Sequence, residues 1–130
     1  MKTTLRRTLV GTVVVSLLVA ACGPKSDSAL GKLIGRWQRS DSDYVVVIRS
    51  VNPDGTLDAG YFNPQPIKVA RAVASEKDGG VTVVIELRDV NYPGSTYTLN
   101  YDPTHDVLAG TYYQAVARET YDISFSRVGP

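Results

Sequence analysis

The sequence contains one cysteine, one histidine and no long segment with helical periodicity. A single cysteine excludes a disulfide framework and a cysteine-based zinc cluster, and a single histidine excludes a multi-histidine metal site. No segment repeats its apolar residues with a period of 3.6, so long helices are not expected. We therefore expect no metal and no cofactor, and the length of 130 residues predicts a single small domain.

The chain also has no large excess of positive charge. Its small excess comes from basic residues near the N-terminus. The chain has 14 Lys and Arg against 13 Asp and Glu. Lys2, Arg6 and Arg7 precede the first acidic residue, Asp27, and without these three the balance is 11 basic to 13 acidic, a net of −2. Nucleic-acid binding requires clustered basic side chains, so we expect no nucleic-acid partner.

Residues 1–21 have the pattern of a secretion signal. The cationic start is followed by an apolar run over residues 9–21. These 13 residues would span about 20 Å as a helix, whereas a bilayer core is about 30 Å thick. The segment therefore predicts a signal peptide and not a membrane span.

The end of this leader, Val19-Ala20-Ala21-Cys22, resembles the lipobox of bacterial lipoproteins. The resemblance implies cleavage before Cys22, a lipid on its sulfur, such as palmitate, and an acylated amine. Gly23 stands where an Asp would retain a lipoprotein at the inner membrane, which implies the outer membrane of a two-membrane cell. We expect the acyl chains to hold the protein in the cell envelope, facing the periplasm or the cell surface. The alternative is an ordinary secretory signal with an incidental cysteine.

The rest of the chain predicts an all-β domain. Residues 22–31 are polar and rich in turn formers, which indicates a lipidated cysteine and a short tether, and residues 32–130 form the domain. Apolar and polar residues alternate with a period of two, for example from Val81 to Arg88. The predicted strands cover residues 35–40, 44–51, 56–62, 67–75, 81–90, 95–101, 107–114 and 120–128. The predicted fold is an eight-stranded antiparallel up-and-down β-barrel.

The connections between these strands make the two ends of the barrel different. Residues 52–55, 77–80 and 102–106 predict tight hairpins, and in a meander all three lie at one end, the bottom, with both termini. The irregular connections lie at the other end, the top, and aromatic residues flank them. The residues that we expect to bind a ligand or partner there are Tyr44, Tyr61, Phe62, Tyr92, Tyr112 and Tyr113.

Two short motifs resemble those of calycins, the barrel group that contains lipocalins and avidins. They are Gly-Arg-Trp at 35–37 and Phe-Ser-Arg at 125–127, and residues 54–61 also resemble the second hairpin of avidins. The lipocalin motif Thr-Asp-Tyr is absent. The resemblance implies that Trp37 and Arg127 form a contact that closes the bottom of the barrel.

Two other groups of charged residues are candidate sites. His105 lies between Asp102 and Asp106 and offers a divalent-ion ligand or a base, although Asp and Thr in such a hairpin ordinarily cap the turn. Arg71 has two interpretations. Either it points inward and pairs with a carboxylate such as Glu86 or Asp89, or the alanines at positions 70, 72 and 74 form the inner face and Arg71 is solvated.

The chain has few of the parts of an enzyme. Lipidation would consume Cys22, no Gly-x-Ser-x-Gly motif accompanies His105, and no phosphate-binding loop is present. Asp41 and Asp43 remain as a carboxylate pair in one top loop. We expect a binding protein and not an enzyme, with a small apolar or aromatic ligand at the Tyr-rich open end. The alternative is a filled barrel that binds protein, as a periplasmic inhibitor or an envelope-assembly lipoprotein. Catalysis ranks third.

Overall fold

The computed structural model describes Gly11 and residues 28–129. The predicted signal peptide, Cys22 and most of the predicted tether lie outside these residues. In the part of the chain that is described, no helix is both long and apolar enough to span a membrane.

The described chain forms one antiparallel sheet of nine strands, which confirms the all-β prediction. A short 3-10 helix, Ala29–Leu33, precedes the strands. The strands are β1 (Gly35–Arg39), β2 (Val45–Val51), β3 (Leu57–Asn63), β4 (Gln65–Ile67), β5 (Val69–Lys77), β6 (Gly80–Leu87), β7 (Thr96–Asp102), β8 (Val107–Gln114) and β9 (Glu119–Val128). The order across the sheet is β4-β3-β2-β1-β9-β8-β7-β6-β5, and the sheet curls into a nearly closed up-and-down barrel.

The predicted count of eight strands is wrong, because the fourth predicted strand changes neighbours at Lys68. Before this residue in the chain, β4 pairs with β3, where Ile67 faces Tyr61. After it, β5 pairs with β6, where Val69 faces Leu87. One extended segment thus contributes two strands. Its first part bonds to one edge of the sheet and its second part to the other edge.

The same segment contains a β-bulge that settles the orientation of Arg71. The register of β5 on β6 shifts between Val69 and Arg71. A bulge moves the following residues to the opposite face. Ala72 and Ala74 are therefore buried and Arg71 is exposed. Of the two interpretations of Arg71, the solvated one is confirmed.

The barrel closes where β3 meets β5. Thr56 and Val73 form an isolated bridge, and Ala74 N donates to Gly55 O at 2.8 Å. Between this bridge and the paired residues of β3 and β4, no ladder of backbone hydrogen bonds joins β3 to β5 among the described residues. Pro66, on the β4 edge of this seam, has no N–H to offer a foreign strand, which protects such an edge from aggregation.

The interior of the barrel is filled by its own side chains. In β6 the residues Val81, Val83, Ile85 and Leu87 are all buried, as the period-two alternation predicts. The largest fully buried side chains include four aromatic rings, those of Trp37, Tyr61, Tyr97 and Phe125.

The 3-10 helix and Arg127 close the bottom end. Leu33 is fully buried, and its carbonyl accepts a hydrogen bond of 2.8 Å from Trp37 Nε1. The Arg127 guanidinium lies 4.2 Å from the centroid of the Trp37 ring, the pair that the calycin resemblance implies. Arg127 Nε also donates to Asp106 Oδ2 at 2.6 Å and Nη1 to Ile34 O at 2.7 Å. The ordered fold thus includes residues 29–31, which we had expected to be tether.

Candidate functional site

An inward-pointing arginine occupies the top end of the barrel. Arg39 lies two residues after the buried Trp37 on β1, so both side chains point to the same face, and that of Arg39 is only 12% exposed. Its Nη1 donates to Tyr97 Oη at 3.0 Å and its Nη2 to Asp41 Oδ2 at 3.0 Å. Its Nε lies 2.7 Å from Asp41 Oδ1, although that N–H does not point at the oxygen. Arg39 and Asp41 thus close the mouth as an ion pair.

Tyrosine rings surround this guanidinium. The ring centroids of Tyr44 and Tyr112 lie 5.6 and 5.5 Å from Arg39 Cζ. Tyr97 stacks on Tyr112, with centroids 4.4 Å apart and an interplanar angle of 22°. Tyr61 and Tyr97 share a hydrogen bond of 2.8 Å between their hydroxyls. Tyr44 directly precedes β2, and Tyr61, Tyr97 and Tyr112 come from β3, β7 and β8, where the register places Tyr97 directly opposite Tyr112.

Burial sets the charge states in this cluster. It raises the pKa of Tyr61, Tyr97 and Tyr112, so their phenols are neutral at physiological pH. Burial is the largest single influence on Arg39 and disfavours its charged form, but the interactions with Asp41 and Tyr97 together outweigh it and raise the pKa of Arg39. The same bond lowers the pKa of Asp41. The mouth therefore holds one paired positive charge among neutral, polarisable rings.

Two further predicted residues lie near this cluster. Tyr44 is half-buried and meets Tyr61 edge-on, with ring centroids 6.3 Å apart. Tyr92, in the loop between β6 and β7, is half-buried, and its hydroxyl accepts a hydrogen bond of 2.7 Å from Asn63 Nδ2. The structure thus brings together four of the six predicted residues, Tyr44, Tyr61, Tyr92 and Tyr112.

The other two predicted residues, Phe62 and Tyr113, point away from the mouth. Phe62 follows the inward Tyr61, so it lies on the outer wall, where it lines a depression with Arg36 and Asp43. Tyr113 follows the inward Tyr112 and is 41% exposed. Successive residues of a strand alternate between faces, which separates each aromatic pair across the wall.

Sequence reasoning did not place Arg39 or Tyr97 among the site residues. The signal for Arg39 was its spacing of two from Trp37. A search for alternating apolar residues does not find a charged residue such as Arg39, even when it points to the same face as the apolar ones. The burial of Arg39 depends on Asp41 and on the tyrosines around it.

The other candidate sites do not assemble. His105 is exposed in the bottom hairpin, with Nδ1 2.6 Å from Asp102 Oδ2, while Asp106 pairs with Arg127. Asp41 and Asp43 are separated, since Asp41 pairs with Arg39 and Asp43 lines the outer wall. Within residues 28–129, no cluster of three or more His, Cys, Asp or Glu is arranged to hold a metal ion.

Apolar side chains are exposed on the top loops beside the mouth. Val90 is 92% exposed in the loop between β6 and β7, and Val116 is 64% exposed in the turn between β8 and β9. The two loops are joined, because Ala115 N donates to the fully buried Ser95 Oγ at 3.1 Å. The top end thus presents apolar groups on loops that are held in place.

In comparisons with known proteins, no family model, no curated protein and no solved structure matches this chain.

Proposed function

We propose that this protein is a lipid-anchored, non-enzymatic protein of the bacterial cell envelope whose barrel binds a partner protein at its top end. The observation that carries the proposal is the contrast between a filled interior and an apolar top surface. Four of the five exposed large apolar side chains in the described residues lie at the top, namely Val90, Tyr113, Val116 and Tyr121. The fifth, Ile34, lies at the bottom.

The composition of this surface supports a protein partner. Tyrosine is enriched at protein interfaces because it combines a large apolar area with a hydroxyl and few rotatable bonds. The loops that carry Val90 and Val116 are joined through Ser95, and Tyr113 and Tyr121 lie in strands, so binding would cost little conformational entropy. A surface ordered before the partner arrives favours specific recognition.

The filled interior gives less support to a small ligand inside the barrel. Tyr61, Tyr97 and Phe125 occupy the interior below the mouth, and Arg39 and Asp41 close it. A small ligand at the open end would first have to separate this ion pair and displace the stacked rings. Each of these steps costs free energy before any contact with the ligand forms.

Lipid anchoring at Cys22 fits the orientation of the barrel. The continuous described segment begins at Ser28, beside the β2–β3 turn at the bottom end. Ser28 is six positions after Cys22, a distance of at most about 20 Å along an extended chain. A lipid on Cys22 would therefore hold the bottom near the membrane and leave the top end free for a partner.

The proposal is tested by photo-crosslinking of the full-length chain in cells. A photoreactive phenylalanine analogue replaces Val116 at the top, and in a matched control it replaces Pro53, which is exposed in the bottom turn. We expect a discrete adduct with one envelope protein from position 116 and none from position 53. Equal adduct patterns from both positions, or no adduct from 116, would contradict the proposal.

A further inference from the structure

The hairpin of β8 and β9 extends beyond the end of its neighbour β1. The last residue of β1, Arg39, faces Phe125, and Ser40 N donates to Ser124 O at 2.9 Å. β9 extends further, to Glu119, which adds about 17 Å of strand at the rise of extended chain. Among the described residues this stretch has β8 on one side and no strand on the other.

The free side of this stretch presents unpaired backbone groups. Because Ser124 directs its carbonyl toward β1, the alternation of an antiparallel ladder directs the N–H and C=O of Asp122 and Thr120 to the same side. No described strand pairs with Thr120 or Asp122 on this side, and both residues are exposed. The β9 edge can therefore accept one more short strand.

Charge near this edge favours a basic segment. A surface depression of about 330 Å³ lies where β1 ends, lined by Ser40, Asp41, Asp122, Ile123 and Ser124. Asp122 is exposed and the Asp41 side chain is 59% exposed, so both carboxylates can be reached from solvent. The nearly buried Ile123 gives the depression an apolar wall. A lysine or arginine on the Asp122 face would place its positive charge near these carboxylates.

The opposite face of the edge favours an apolar side chain. Tyr121 is in phase with the buried Ile123 and Phe125, yet it is 43% exposed because β9 has passed the rim of the barrel. A strand added at the edge would alternate between Asp122 on one face and Tyr121 on the other.

We propose that the partner protein binds by strand addition to the β9 edge at residues 119–122, with an extended segment that alternates basic and apolar side chains. This rests on the proposed function, for which it specifies the chemistry of the partner. Backbone hydrogen bonds to Thr120 and Asp122 supply affinity, and pairing with the carboxylates supplies specificity. A second copy of this chain is a poorer occupant, since antiparallel pairing of two β9 edges brings the Asp122 carboxylates of the two copies near each other on one face.

The test is an NMR titration of the full-length chain in mild detergent with a short capped peptide that alternates lysine and valine. We expect shifts of the Thr120 and Asp122 amide signals, with slowed hydrogen exchange at these two amides. A matched peptide with glutamate in place of lysine should bind at least about threefold more weakly, since its carboxylates lie near those of the protein. No shift at residues 119–122, or equal binding of the two peptides, would overturn the proposal.

A pair of variants isolates the backbone contribution. Thr120→Pro removes an N–H that faces away from β8, a position where an edge strand tolerates proline, and Thr120→Val keeps that N–H. We expect the lysine peptide to bind about fivefold more weakly to Thr120→Pro and unchanged to Thr120→Val. Equal loss in both variants would contradict strand addition. Should Thr120→Pro fail to fold, Asp122→Asn tests the charge contribution instead; a loss of about threefold is expected for the lysine peptide, and unchanged binding would contradict the proposal.

Two further outcomes separate this inference from the proposed function. Crosslinks from position 116 that persist in Asp122→Asn with undiminished yield would overturn strand addition and leave the binding of a partner at the top end intact. Concentration-dependent self-association in sedimentation, abolished by Thr120→Pro, would assign the edge to a second copy and overturn the basic-partner proposal.

Discussion

Two arginines close the two ends of the barrel by the same means. Arg127 at the bottom lies over Trp37, and Arg39 at the top lies between two tyrosine rings. Each pairs with a carboxylate of a neighbouring loop, Asp106 or Asp41, and each lowers the pKa of that carboxyl group. A guanidinium suits this position because its flat face packs on aromatic rings while its edge donates hydrogen bonds.

Replacement of Arg127 should destabilise the fold. Arg127→Met loses the contact with Trp37 and the hydrogen bonds to Asp106 and Ile34 O, and we expect the free energy of unfolding to fall by about 2 kcal/mol. Arg71→Met is the matched control, since Arg71 is exposed. Urea unfolding followed by tryptophan fluorescence measures both. Equal stability of the two variants would show that Arg127 does not hold the bottom closed.

Gly110 is required by the close approach of two strands. It lies opposite Leu99 on β7, and a Cβ at this position would overlap the carbonyl oxygen of Thr98. Gly110→Ala should lower the free energy of unfolding by about 1–3 kcal/mol, the usual cost of overpacking. Gly31→Ala has open space around its Cβ and should leave stability nearly unchanged. Thermal unfolding by circular dichroism compares them, and a stable Gly110→Ala variant would contradict the steric argument.

At the level of elements, strands β3, β7 and β8 meet through their tyrosines. Tyr61, Tyr97 and Tyr112 are buried, and burial raises the pKa of each above its ordinary value near 10. The neutral phenols thus contribute stability that is fully present below about pH 10 and is lost as the pH rises through the folded-state values. The stack links the ionisation of side chains from three strands to the integrity of the fold.

An alkaline titration tests this link. We expect part of the tyrosinate absorbance to appear only as the circular dichroism of the sheet is lost, above about pH 10. Tyr97→Phe should reduce that late absorbance by one tyrosine out of the eight in the chain. Complete tyrosine ionisation with the native circular dichroism retained would contradict the buried stack.

At the level of the whole molecule, Ser28, which follows the proposed anchor in the chain, lies at the opposite end from the proposed partner surface. Cys22→Ser removes the only thiol of the chain and leaves the described domain untouched. We expect the variant to move from the membrane fraction to the soluble fraction and to lose incorporation of labelled palmitate, because stable anchoring requires the acyl chains. Ser28→Ala is the control and should stay in the membrane fraction. Retention of Cys22→Ser in the membrane would contradict lipid anchoring.

Much of the fold was predictable because strands with one buried face carry a period of two. Strand β8 was predicted at residues 107–114, and most other boundaries differ by one residue. The strand count was not predictable, since a change of neighbour at Lys68 leaves no trace in local alternation. The direction of the predicted site residues was not predictable either: Phe62 and Tyr113 flank the mouth in sequence, but strand geometry turns them outward.

By itself the sequence determined the all-β class, the up-and-down order of its strands and the aromatic character of one end, because these depend on local alternation and turn chemistry. It also carries the lipobox resemblance, which lies outside the described residues. Only the tertiary structure decided that Arg39 enters the mouth, that the interior is filled and that β9 extends past β1. Each of these depends on which strands become neighbours and in what register, and that is set by packing between residues far apart in the chain.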